Sequence, residues 1–163
     1  MADYCPIAST LGYVLSPDGR DVLMVHRVNR VDDEHQGKYN GLGGHLEADE
    51  DVATGIIREI REEAGIECTA LTLRGTINWN EFGPDKRDWL GFIFLITAFE
   101  GVPFEANEDG PLEWVSVGRL PNLPMWEGDR FFLPLVFDGD ARPFHGHMRY
   151  NGEKPTGWTY VRM

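Results

Sequence analysis

Basic residues are scarce in this chain. Lys and Arg together number 15 against 27 Asp and Glu, a formal net charge of −12. Such an excess argues against nucleic acid or an anionic membrane as the main partner, because both carry the same sign of charge. It leaves room for a small anionic ligand accompanied by a divalent cation. Cysteine is scarce too. Cys5 and Cys68 have neither zinc spacing nor the density of a disulfide scaffold, so inert thiols in a reducing, cytoplasmic setting are expected. No apolar run is long enough to span a bilayer. The opening residues, MADYCPIAST, lack the basic-then-apolar order of a secretory signal. Repeats, low-complexity stretches and linkers are also missing. What remains is 163 residues with 42% hydrophobic content, enough for a core, so one domain over 1–163 is expected, as a monomer or homodimer.

Strand patterns run from Ile7 to Leu15 and from Val22 to His26, joined by the Ser16-Pro17-Asp18-Gly19 turn. Arg30 to Lys38 is a polar loop. Leu71 to Trp79 and Trp89 to Phe99 form a strand pair around Gly83-Pro84-Asp85, and Leu112 to Val117 is a further strand. A second helix is expected within 126–138, with Pro134 in its first turn or at a kink. Phe144 to Tyr150 and Trp158 to Arg162 suggest a closing hairpin turned by Asn151-Gly152. His145 and His147 alternate on one strand and lack a third ligand nearby, so strand surface is the better reading of that pair.

The richest segment is Gly44 to Ile66, GHLEADEDVATGIIREIREEAGI. Asp49 precedes the acidic pair Glu50-Asp51, which suits an N-cap and the positive end of a helix dipole. Ala53, Ile56, Ile57, Ile60 and Ala64 recur at helical spacing as one apolar stripe. Gly65 supplies a left-handed terminator. One amphipathic helix over about 50–64 follows, with Gly55 expected to allow tight packing on a neighbouring strand. Glu59, Glu62 and Glu63 stand at i, i+3 and i+4, beside that stripe. Like charges so placed cost a few tenths of a kcal/mol per pair. A divalent cation reverses the sign, and hard oxygen ligands in this number suit Mg²⁺ or Mn²⁺. Gly43-Gly44 offers a backbone carbonyl with no side chain in the way. Arg58, one turn before Glu62, can brace the carboxylates.

This segment fills every fixed position of G-x5-E-x7-R-E-U-x-E-E-x-G-U, where U is aliphatic, and so resembles the box of the Nudix hydrolases. The resemblance implies an α/β fold, the Nudix-type α/β/α sandwich with a mixed sheet, which the element order also suits. It implies metal ligation by Gly43, Glu59, Glu62 and Glu63, and catalysis by these glutamates with Arg58. Glu59 is the first candidate for the base that activates water, and Glu108, in the acidic loop Asn107-Glu108-Asp109, is the second. Arg27, Arg30 and Lys38, just upstream, are candidates to clamp a polyphosphate.

Similarity extends beyond the box. Gly37 to Gly44 (GKYNGLGG), Leu123 to Asp129 (LPMWEGD) and Phe144-His145-Gly146 look like segments of 8-oxo-dGTP diphosphatases of the MutT and animal types. Position by position, the likeness implies that Asn40 bonds a purine edge, Trp126 stacks on the base, Trp79 forms another wall and Asp129 meets ring N–H groups. Aromatic faces and a few convergent polar groups are what a purine site requires. Two departures stand out: Gly128-Asp129 replaces a pair of aspartates, with Glu127 nearby, and Tyr39 replaces a tryptophan. The expected activity is Mg²⁺-dependent hydrolysis of a nucleoside triphosphate, an oxidised purine such as 8-oxo-dGTP foremost, to monophosphate and pyrophosphate. A nucleoside diphosphate derivative such as ADP-ribose or a nucleotide sugar is the alternative substrate; no coenzyme-A-type signature precedes the box. A nucleotide-sensing module without catalysis is the third reading, disfavoured by the intact carboxylates.

Overall fold

A computed structural model describes residues 2–163. Strands β1 (Ile7–Leu15) and β2 (Asp21–His26) come first, then the short β3 (Tyr39–Asn40) and β4 (Leu42–His45). Helix α1 (Val52–Ala64) follows, then the long β5 (Glu67–Phe82) and β6 (Arg87–Glu100). The chain continues through β7 (Ala106–Asn107), β8 (Gly110–Ser116), a 3-10 turn over Val117–Asn122 and α2 (Asp129–Phe137), and closes with β9 (Phe144–Gly152) and β10 (Lys154–Arg162). The sheet is mixed, in the order β10-β9-β5-β6-β1-β2-β8-β7. β1 runs parallel to β6 and antiparallel to both β2 and β4; β5 runs antiparallel to β6 and parallel to β9.

The two-residue period of the strands builds two cores, one on each face. On β1, Tyr13 packs on the α2 side and its neighbour Val14 on the α1 side. On β2, Val22 and Met24 face α2 while Leu23 and Val25 face α1. Phe132, Leu133 and Val136 close the first core; Ile56, Ile60 and Ala64 close the second. The architecture is therefore the expected α/β sandwich, helix on each face of a mixed sheet, with no helix long and apolar enough to cross a membrane among the described residues.

Local details depart from the sequence expectations. The N-cap of α1 is Asp51, not Asp49: its carboxylate accepts the Thr54 N–H and hydroxyl, each at 2.8 Å. Glu50 lies outside the helix because its carboxylate takes the Glu47 N–H and the Arg58 guanidinium, so the first turn holds no acid. Gly65 terminates the helix in the left-handed region as expected, at φ +71°. Gly55 does not meet a strand. A Cβ there would stand 2.8 Å from the Leu46 side chain and 3.0 Å from the Glu50 carboxylate, so the loop before the helix needs the space. Pro134 lies inside α2, past its first turn, which leaves the kink of the two expectations. The final hairpin pairs Asn151 with Lys154, which moves the turn one residue on, to Gly152-Glu153. β3 and β4 were not foreseen; they are short, and only pairing with β2 and β1 makes them strands.

Candidate active site

The residues of the box surround one cleft. Glu59, Glu62 and Glu63 line it together with Phe104, Ala106, Asn107, Glu108 and Asp109 from the segment between β6 and β8. That segment is docked on the end of α1: the Phe104 N–H donates to the Ala64 carbonyl at 2.9 Å and the Asn107 amide to the Glu63 carbonyl at 3.2 Å. Arg58 holds three acids at once. Its guanidinium bonds Glu50 at 2.6 and 2.8 Å, Glu59 at 2.9 Å and Glu62 at 3.3 Å, and also the His45 carbonyl. These bonds hold the Glu50 carboxyl well below the usual carboxylate range, at about 2. Glu63 goes the other way. Burial first, then the neighbouring Glu59 charge, push its carboxyl up to about 8, with the Gly43 backbone acting against them. Among the described residues no three such groups already stand at metal-ligand distances; here Arg58 organises the carboxylates.

Gly43 and Gly44 sit between this cleft and a second recess. A Cβ on Gly44 would meet the Glu59 carboxylate at 2.7 Å. Gly43 adopts φ +155°, and a Cβ there would lie 2.0 Å from the Thr10 carbonyl oxygen, closer than any atom can come. Both glycines also line a cavity of about 250 Å³ on the α2 side of the sheet. Asn40, Trp79, Trp126, Asp129 and Arg27 line the same cavity, so residues expected to share a base site do converge. The Trp126 ring packs on Phe82, centroids 4.6 Å apart, and is itself almost fully buried in the α2-side core. Burial pushes the Asp129 carboxyl up to about 7, only weakly opposed by Arg130.

Gly128 carries no side chain for a local reason. Its N–H donates to the Tyr150 hydroxyl at 3.1 Å, and a Cβ would fall 2.1 Å from that oxygen. Glu127 is exposed and does not line the cavity. The basic candidates divide. Arg27 lies between the two recesses but bonds Asp33 at 2.7 and 3.0 Å and faces Asp109 at 3.5 Å. Arg30 reaches across to Glu108 at 2.9 Å and Asp109 at 2.8 Å. The Lys38 ammonium lies 4.5 Å from the Trp126 ring centroid and donates to the Glu34 carbonyl, at the aromatic recess rather than the carboxylate cleft. His145 bonds Thr76 and exposed His147 bonds Asn80, an ordinary strand surface.

Sequence reasoning missed His35, Glu34 and Phe82, which also line the aromatic cavity. His35 sits in what composition marks only as a polar loop. No periodicity or motif singles it out, and only the folded loop brings it to Trp126.

Comparison with known proteins agrees with this geometry. A family model described as the NUDIX domain matches residues 6–136. A Bacillus subtilis protein described as an uncharacterized Nudix hydrolase, YvcI, is 33% identical over 142 residues, covering 86% of this chain and 85% of its own. The oxidized purine nucleoside triphosphate hydrolase of Mus musculus is 29% identical over 118 residues, 72% of each chain. Among solved structures, a MutT protein from Bacillus halodurans superposes with a TM-score of 0.80 at 26% identity, over 94% of this chain and 97% of that one.

Proposed function

This chain belongs to the NUDIX domain family, and from that premise we propose that it is a Mg²⁺-dependent pyrophosphohydrolase of a nucleoside triphosphate, with an oxidised purine such as 8-oxo-dGTP as the preferred base. One observation carries the reading: the aromatic cavity and the carboxylate cleft meet at Gly43-Gly44, so a base held by Trp126 and Trp79 extends its phosphates toward Glu59, Glu62 and Glu63.

The residues present fit a divalent cation. Three glutamates face the cleft with one guanidinium among them, and desolvation first, then the Glu59 charge, hold the half-buried Glu63 carboxyl above its ordinary value, which a cation there would relieve. Glu59, Glu62, Glu63 and the Gly43 backbone would hold the ion. When bound, it would supply Lewis-acid polarisation of a phosphoryl oxygen and a template for in-line displacement. The chain's own groups do the rest. Water adds to phosphorus as the bond to the leaving phosphate oxygen breaks, and a carboxylate takes the water proton. Glu59, on α1, is the first candidate for that role. Glu108 lines the same cleft and is the second candidate. Arg58 keeps Glu59 and Glu62 aligned, and Asn40 and Asp129 orient the base.

The test is a hydrolysis screen with Mg²⁺, Mn²⁺ or chelator over 8-oxo-dGTP, dGTP, dATP, 8-oxo-dGDP, ADP-ribose and nucleotide sugars. Release of pyrophosphate from 8-oxo-dGTP, with kcat/KM above that for dGTP, is expected. Equal rates on the two, or preference for a pyrimidine or ADP-ribose, refutes the base assignment. Binding without turnover in Mg²⁺ refutes the enzyme.

A further inference from the structure

His35 is held in the wall of the aromatic cavity by contacts that specify its chemistry. The Trp126 indole N–H points at its Nδ1 at 2.7 Å, and the Asn40 Nδ2 lies 3.4 Å from the same atom. An indole nitrogen is a donor only, so Nδ1 must be the unprotonated acceptor and the ring proton must sit on Nε2. Burial and then Arg27 push the imidazole down to about 4, so the ring stays neutral at physiological pH. The single Nδ1 lone pair is engaged by the indole, so the 3.4 Å contact is a weak secondary one, yet it favours the NH₂ end of Asn40 toward the unprotonated, electron-rich Nδ1. The reverse orientation would set the amide oxygen against that lone pair. The Asn40 Oδ1 has no hydrogen-bond partner among the described residues, and Asn40 lines the cavity.

We infer that His35 is the positioning residue that sets the polarity of this cavity: its unprotonated Nδ1 anchors the Trp126 indole and repels the Asn40 amide oxygen, turning Asn40 so that this oxygen, an acceptor, faces the bound base. The inference rests on the reading of this cavity as the base site. It makes the cavity select for a base edge that presents an N–H donor at Asn40 and against one that presents a bare lone pair there. Exclusion of the wrong edge follows from leaving two acceptors face to face in a desolvated recess.

The test compares wild type with His35→Phe, which fills the space without an acceptor, and His35→Asn, whose amide oxygen stands near the position of Nδ1. Thermal unfolding and the ¹H–¹⁵N signal of the Trp126 indole are measured without ligand, and KM and kcat with 8-oxo-dGTP, dGTP and dATP. Loss of one oriented hydrogen bond in His35→Phe should raise KM about tenfold and compress the ratio between best and worst base by a similar factor, with kcat nearly unchanged. His35→Asn should recover most of both, and the indole signal should move in the first variant and return in the second. Unchanged KM and base ratio in folded His35→Phe overturns the inference, as does failure of His35→Asn to rescue. Should His35→Phe not fold, the wild-type imidazole ¹⁵N spectrum decides: a protonated Nδ1 overturns the inference and a protonated Nε2 supports it. Trp126→Ala separates the two levels. If it raises KM and His35→Phe does not, only the role of His35 falls; if neither changes KM, the base does not bind here.

Discussion

Asn in place of Asp129 should make the protein more stable at pH 8 and less selective. The carboxyl of Asp129 lies at the start of α2, lines the aromatic cavity, and is pushed by burial from 3.8 to about 7. A pKa raised on folding means that the native state keeps a proton the unfolded chain releases. The resulting cost is absent below about pH 4, grows as pH rises, and is complete above about pH 7. The gap between 3.8 and 7 corresponds to about 4 kcal/mol at 1.36 kcal/mol per pH unit, reduced where cavity water solvates the charge. The helix dipole opposes it, since a negative charge in the first turn of α2 gains about 0.3–1 kcal/mol. Burial outweighs the dipole, because desolvation is the largest influence on this carboxyl and only Arg130 opposes it by charge. Asp129→Asn should therefore gain about 1–3 kcal/mol at pH 8 and little at pH 4. Urea unfolding at both values measures it, with the base ratio assayed on the same samples. A carboxylate accepting the N7–H of an 8-oxopurine contributes about 1.5–3 kcal/mol, a ten- to hundredfold preference over dGTP that the amide should shrink. Metal dependence should not change. A variant equally destabilised at both pH values, or one that keeps the wild-type ratio, refutes the argument.

Glu62→Gln and Glu63→Gln should each lower kcat by orders of magnitude in Mg²⁺ while circular dichroism and unfolding remain native-like; near-normal turnover in both would end the metal assignment. Gly43→Ala should lower both stability and activity, because its Cβ would stand 2.0 Å from the Thr10 carbonyl and β4 must leave β1 to make room; an unchanged melting temperature would contradict that geometry. Arg74→Met should cost about 3–5 kcal/mol in denaturant unfolding, since it removes a buried cation that bonds the carbonyls of Leu135, Val136, Asp138 and Asp140 and the Asp138 carboxylate beyond α2. A loss below about 1 kcal/mol would mean that those carbonyls find water instead.

By itself the sequence determined what depends on period and local spacing. The i, i+3, i+4 placement of Glu59, Glu62 and Glu63 puts them on one cleft because a helix has a single pitch, and the alternation of Tyr13 with Val14 sends neighbours to opposite cores because a strand has period two. Gly65 ends α1 because a left-handed residue was needed there. Competition between equivalent local choices was not legible. Asp49 and Asp51 are both acceptable caps in isolation, and Arg58, which draws Glu50 out of the helix, decided for Asp51. The second recess was hidden further. Only the family likeness grouped Asn40, Trp79, Trp126 and Asp129, since no periodicity links β3, β5 and α2, and nothing in the chain signalled that His35 and Phe82 join them. Only folding sets the His35 lone pair against the Trp126 indole, raises the Asp129 carboxyl by desolvation, and places the Tyr150 hydroxyl where a side chain at position 128 would stand. These are effects of desolvation and contact between distant segments, which the tertiary structure alone decides.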